Sequence, residues 1–105
     1  MAVPLPDTAT AIGRTLAEAV GHEPAVTGVW VRPDADLYEV WILTEPISHD
    51  EELRLYQLAM ALDDTYPDTL IRHTVVNSAW FAPETALVGD IIPVDALPIA
   101  MPVPR

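Results

Sequence analysis

The alternation of apolar and polar positions along the chain predicts three β-strands. Residues 26–32 and 37–44 are rich in valine, isoleucine, tryptophan and tyrosine, and the Pro-Asp-Ala-Asp segment between them is typical of a turn. We therefore expect an antiparallel hairpin. Because both alternating sets of positions in residues 37–44 are mostly apolar, this strand is predicted to be central and covered on both faces. The third predicted strand spans residues 70–77.

A helical periodicity of apolar residues predicts two helices. The first is expected to follow an extended leader at residues 3–6, to begin at Asp7 or Thr8, and to end at Val20 just before Gly21. Its buried stripe is expected to consist of Ile12, Leu16 and Val20.

The second predicted helix spans residues 48–64. Ser48 and Glu51 have the spacing of a capping box, and Pro67 prevents the helix from continuing. Because a strand, a helix and a strand in this order form a crossover, the third strand should lie parallel to the second. A short helical turn is expected at residues 83–88. The stripe expected to be buried consists of Leu55, Ala59 and Leu62.

Together these elements predict an α/β protein, an α+β sandwich in the order α-β-β-α-β. It has a small mixed three-stranded sheet, two helices and an extended proline-rich tail. Residues 1–88 form the predicted domain, and residues 89–105 form the tail, which is apolar but contains four of the eleven prolines. Prolines this dense exclude a helix or a central strand. The tail is expected to cover the second face of the sheet, to contact another copy of the chain, or to dock onto a partner.

The charge of the chain restricts its partners. Sixteen carboxylates stand against five arginines and no lysine, which gives a formal net charge of −11. A field of this sign repels phosphate backbones and anionic lipids, so we expect neither nucleic acid nor membrane as a partner. The same field favours association with a basic protein.

The composition also indicates a compartment. The absence of cysteine excludes disulfides and thiolate metal sites. The first residues lack the basic and apolar regions of a signal peptide, and no apolar run approaches the roughly 18 residues of a membrane span. A cytoplasmic location is therefore expected. The use of arginine alone, with much alanine, valine and proline, favours a GC-rich bacterial source.

Asp34 and Asp36 are weak candidates for metal ligands. They lie two residues apart at the start of a strand, a spacing with which phosphoryl-transfer sites hold a divalent cation. Residues 33–37 resemble the Asp-x-Asp segment of the nucleotidyltransferase fold, and this resemblance implies metal or nucleotide binding. Two features depart from that family: Gly28-Val29 replaces its Gly-Ser pair, and the third predicted strand has no aspartate.

Catalytic motifs are otherwise absent from the sequence. His22, His49 and His73 lack the spacing of metal ligands, and no serine lies in a nucleophile motif. We therefore expect a protein that is not an enzyme and that uses no cofactor or metal.

The interface candidates are apolar side chains. A domain of this size has difficulty burying three tryptophans fully, so at least one is expected at a surface that another chain covers. The candidates are Trp30, Trp41, Trp80, Phe81, Ile99 and Met101.

These observations favour a non-enzymatic, acidic protein–protein interaction module. Its specific form would be an antitoxin, an immunity protein or a regulatory partner of a basic protein. One alternative is a degenerate nucleotidyltransferase-like domain that binds a metal or nucleotide through Asp34 and Asp36. The other is a structural homo-oligomer, for example a homodimer.

Overall fold

The predicted hairpin and crossover build one mixed sheet. The structure, a computed structural model, describes residues 5–102. In this range the strands have the spatial order β3-β2-β1-β4. As predicted, β2 pairs antiparallel with β1 and parallel with β3, and β1 also pairs antiparallel with β4. The strands are β1 (Val26–Asp34), β2 (Leu37–Thr44), β3 (Leu70–Asn77) and β4 (Leu97–Ile99).

Three α-helices cover one face of the sheet: α1 (Leu5–Val20), α2 (His49–Ala59) and α3 (Ala61–Thr65). Both predicted apolar stripes are confirmed, since all six of their residues are buried in one cluster with the strands. Burying a leucine or isoleucine side chain contributes roughly 1.5–3 kcal/mol, so this face holds the main core. The strand residues in it are Val29, Val31, Val40, Ile42 and Val75. None of α1, α2 and α3 is both long enough and apolar enough to cross a membrane.

The second face of the sheet is covered by residues 81–96, which we name the C-terminal strap. Ile92 and Ala96 of the strap are buried against Trp41 of β2 and Val76 of β3. The prediction that β2 is central and covered on both faces is therefore confirmed, because Val40, Trp41 and Ile42 are consecutive and buried.

The predicted three-stranded sheet is wrong, because Leu97–Ile99 adds a fourth strand beside β1. A proline is tolerated in a strand at the edge of a sheet, which explains how Pro98 can lie in β4. Ile99 packs so closely on α1 that a Cβ on Gly13 would lie 2.5 Å from its Cγ1. The absence of a side chain at Gly13 therefore allows β4 to pack against α1.

The predicted single helix over residues 48–64 is also wrong, because it divides at Met60 into α2 and α3. At this residue the chain tightens: the N–H of Asp63 donates to the carbonyl of Met60, only three residues earlier. The turn is small enough that Leu62 continues the buried stripe of α2.

Two local predictions are corrected. The first helix begins at Leu5 rather than at Asp7 or Thr8, since a proline in the first turn costs no helical hydrogen bond. Residues 3 and 4 of the expected leader lie outside the described part of the chain. The short helical turn lies at Leu87–Ile91, not at 83–88, and Val88 and Gly89 within it have non-helical dihedral angles.

Candidate functional site

The two candidate metal ligands lie at the tip of the β1–β2 hairpin. Asp34 pairs with Leu37, so the loop has two residues, and the first of them, Ala35, has a φ of 54°. A left-handed residue at this position is what a two-residue hairpin loop requires. Both aspartates are exposed. Among residues 5–102, no group of three or more histidine and carboxylate side chains could hold a metal ion.

Three of the six interface candidates lie together on the second face of the sheet. Trp30 and Trp41 are directly opposite each other in the β1–β2 register, and Phe81 packs on the same cluster. Trp30 lies over Gly28, where a Cβ would be 2.6 Å from the indole ring. Trp41 is buried, and Trp30 and Phe81 are half-buried. These aromatic side chains therefore fill a core within the chain.

The two tail candidates lie on the other side of the sheet. Ile99 and Met101 are both half-buried and pack against the helix-side cluster. The structure thus separates the six candidates into two groups that are buried or half-buried within the chain and Trp80, whose exposed fraction is 66%.

A row of charged side chains crosses the second face beside the tryptophans. Arg32 donates to Glu39 at 2.6 Å and to Asp95 at 3.2 Å, and Arg72 donates to the other oxygen of Glu39 at 3.2 Å. The bond to Glu39 raises the pKa of Arg32 above its ordinary value. The guanidinium of Arg32 also lies 5.7 Å from the ring of Trp41. The predicted four-residue turn would place Arg32 opposite Leu37, so its pairing with Glu39 follows only from the observed two-residue loop.

Trp80 is exposed but fixed in position. It lies in a single 3₁₀ turn, Ser78–Trp80, directly after β3. Its indole Nε1 donates to Oε1 of Glu52 in the first turn of α2 at 2.9 Å. An aromatic ring held in this way loses little conformational freedom on binding, which favours its use as a binding anchor.

Asn77 stabilises the same region through buried hydrogen bonds. Its side chain is fully buried and accepts from the N–H groups of Ile47 and Ala79, at 3.2 and 3.0 Å. It donates to the carbonyl of Ile47 at 2.9 Å and to Glu52 at 3.1 Å. The end of β3 is therefore tied to the start of α2. The sequence did not indicate this contact, because Asn77 and Glu52 meet only when the crossover folds.

The predicted capping box at the start of α2 is confirmed. Glu51 N–H donates to Ser48 Oγ at 3.2 Å, and Ser48 N–H donates to Glu51 Oε1 at 3.0 Å. The bond from the backbone of Ser48 is the main cause that lowers the pKa of Glu51, and the Ser48 hydroxyl adds to it. The Glu51 carboxylate therefore stabilises the start of α2.

The outer edge of β3 has no neighbouring strand among residues 5–102. Tyr56 on α2 reaches this edge, where its hydroxyl accepts from the N–H of Val75 at 3.0 Å. In a strand, residues two apart direct their backbone groups to the same side. The N–H groups of Ile71 and His73 therefore also point away from β2.

Exposed apolar side chains lie along this edge. Leu53 and Met60 come three residues before and four residues after Tyr56, so they share its side of α2. Their exposed fractions are 48% and 57%. We name this region the β3-edge surface; it consists of the outer edge of β3 with Leu53, Met60 and Trp80. The seven-residue spacing of Leu53 and Met60 places them on one side of the helix, but it does not indicate whether that side is exposed.

The segment that flanks the β3-edge surface is acidic, whereas β3 itself carries Arg72, which is paired with Glu39. Residues 45–68 contain seven carboxylates and one arginine, Arg54, which is paired with Glu23 at 3.1 Å. Asp63 lies directly at the edge, with Oδ1 3.7 Å from Nε2 of His73. At the other end, Glu52 is bonded to Trp80. A carboxylate therefore lies at each end of the surface, Asp63 beside His73 and Glu52 beside Trp80.

Three surface grooves within the described part of the chain are small. They have volumes of about 120, 260 and 280 Å³. Sites for drug-sized ligands occupy roughly 300–1,000 Å³, so these grooves do not favour a small-molecule site.

No protein-family model, no curated protein and no solved structure matches this chain.

Proposed function

We propose that this chain is a non-enzymatic, acidic interaction module that binds a basic protein through the β3-edge surface. The observation that carries the proposal is Trp80. Its ring is mostly exposed, and Glu52 holds it in one orientation. Tryptophan is the residue type that most often dominates binding energy at protein interfaces.

Two exposed apolar side chains of the β3-edge surface support a protein partner. Leu53 and Met60 extend the apolar surface along α2, away from the buried cores. An interface of this kind has apolar anchors at its centre and charged groups at its rim, as the surrounding carboxylates provide.

The charge supports a basic partner. The arginines Arg32, Arg54 and Arg72 each bind a carboxylate of the same chain. The carboxylates around the β3-edge surface therefore have few internal cations to neutralise them. Such a field speeds the encounter with a cationic protein and slows the encounter with an anionic one. The specific form that we propose is an antitoxin-like or immunity-like partner of a basic effector.

A comparative pull-down from the native host tests this function. Wild-type chain, Trp80→Ser and Val94→Ser are used as baits, and the retained proteins are identified by mass spectrometry. Val94 is the matched control because it is 82% exposed and lies in the C-terminal strap. We expect wild type and Val94→Ser to retain the same basic protein at low salt, and Trp80→Ser to lose it. Equal retention by all three baits, or retention of only acidic proteins, would contradict the proposal.

A further inference from the structure

We infer that the basic partner contributes an extended segment that pairs with the outer edge of β3 as a fifth strand of the sheet. This inference rests on the proposed function and specifies how the partner is bound. In this binding mode the backbone hydrogen bonds supply affinity, and the alternate side chains supply specificity.

The geometry of β3 suits strand addition. β3 has eight residues, contains no proline, and pairs with β2 from Leu37–Leu70 to Thr44–Asn77 without a register shift. A strand free of proline and bulges presents a regular row of donors and acceptors to a further strand. Tyr56 occupies the N–H of Val75, so the added strand is expected to pair with residues 70–74.

The two sides of β3 predict the chemistry of the added strand. On the helix side, the added side chains would lie beside Asp63 and Met60. A lysine or arginine there places its charge near the carboxylate and its aliphatic part along the methionine. On the other side they would lie beside Leu70, which is 65% exposed, and Arg72. Apolar side chains suit Leu70, whereas Arg72 disfavours a second cation. The partner segment is therefore expected to alternate basic and apolar residues.

Charge distinguishes this occupant from a second copy of the chain. Two copies paired through β3 would bring their acidic α2 and α3 segments together, and like charges at an interface disfavour association. A basic segment reverses the sign of that interaction. The same surface is thus selective for a cationic strand.

A peptide titration tests the inference. The probe is a ten-residue synthetic peptide that alternates arginine and valine, with blocked termini. One comparison peptide replaces arginine by glutamate, and another carries N-methyl groups on every backbone nitrogen. We expect the arginine peptide to bind wild-type chain by calorimetry, the glutamate peptide not to bind, and the methylated peptide to bind at least about tenfold more weakly, because it lacks donors for the edge.

Two variants of the protein provide the matched control. His73→Pro and His73→Ala both remove the imidazole, but only the proline removes the outward N–H. We expect His73→Pro to weaken binding of the arginine peptide by about tenfold relative to His73→Ala. Circular dichroism checks that both variants fold. If the proline variant does not fold, the methylated peptide on wild-type chain gives the answer.

The outcomes separate the binding mode from the proposed function. Equal affinity for the methylated and unmethylated arginine peptides would overturn strand addition, as would failure of the arginine peptide to bind. The proposed function would survive either result if Trp80→Ser still lost a basic protein in the pull-down. A dimer in light scattering that the arginine peptide does not dissociate would identify a second copy as the occupant and overturn the inference.

Discussion

At one edge of the sheet, β4 runs for three residues with a proline at its centre, whereas at the other edge β3 runs for eight residues without one. Pro98 has no N–H, so the middle of β4 cannot donate to a further strand. Ile99 of β4 packs closely against Gly13 of α1. Within residues 5–102, the β3 edge is protected in two ways. The hydroxyl of Tyr56 accepts from one outward N–H, and carboxylates lie beside the strand.

The two edges of the sheet are therefore protected in different ways. Proteins protect sheet edges with short strands, prolines and charged groups, because an open edge templates aggregation. The β4 edge uses the first two devices and is closed to any strand. The β3 edge is flanked by charge, and on the strand-addition proposal this charge excludes acidic strands and copies of the same chain but admits a basic one.

The largest expected effect is at the end of β3. Asn77→Ala removes the partners of the Ile47 N–H and carbonyl and of the Ala79 N–H. Leaving buried polar groups unpaired is costly, so we expect the free energy of unfolding in urea to fall by about 3 kcal/mol. Ser78→Ala is the control, because the Ser78 hydroxyl has no hydrogen-bond partner among residues 5–102. Equal losses for the two variants would show that the Asn77 contacts do not hold this edge.

The next effect is at the β4 edge. Gly13→Ala raises helix propensity by about 1 kcal/mol, but its methyl group overlaps Ile99. Because overpacking a tight contact costs more, we expect a net loss of about 2 kcal/mol. The double variant Gly13→Ala/Ile99→Ala should lose less than the sum of the single variants, measured by urea unfolding. Strict additivity would mean that Gly13 does not seat β4.

A smaller effect is expected at the β3 edge itself. Tyr56→Phe frees the N–H of Val75, and we expect a loss of about 1 kcal/mol in stability together with faster hydrogen exchange of that amide. Tyr66→Phe is the matched control, since it removes a hydroxyl that lies 3.3 Å from Thr15 Oγ1, on α1. Tyr66→Phe should leave the exchange of Val75 unchanged. If both variants speed that exchange equally, Tyr56 is not the cap of the edge.

The smallest effect concerns pH. Because the folded state lowers the pKa of Glu51, its capping interaction is fully present above the ordinary glutamate value of 4.5 and is lost as pH falls below it. We expect Glu51→Gln to make stability fall less steeply as the pH is lowered below 4.5, because glutamine also fits the capping box. Urea midpoints across this range give the comparison. Asp50→Asn, in the same turn, should not reproduce the change; if it does, general charge accounts for the dependence.

The sequence predicted the local features of both regions. The bounds of β2 and β3 and the capping box followed from alternation and spacing, which depend on neighbouring residues. β4 was missed because three residues around Pro98 become a strand only by pairing with β1. The division of the second helix at Met60 was missed because no glycine or proline marks it.

The candidate site was predictable only in part. Trp80 was among the six candidate side chains, but its exposure depends on how the tryptophans are distributed between the core and the surface. The bonds from Glu52 to Trp80 and Asn77 join residues 28 and 25 positions apart. The sequence contains no local signal for contacts of this range.

Hydrogen exchange along β3, measured residue by residue in the free chain and with the arginine–valine peptide, shows whether this edge receives a strand. In the free chain we predict fast exchange at Ile71 and His73, which point outward, and slow exchange at Arg72 and Thr74, which point toward β2. Saturating peptide should make all four amides slow. Unchanged fast exchange at Ile71 and His73 with bound peptide would contradict the claim that this edge receives a strand.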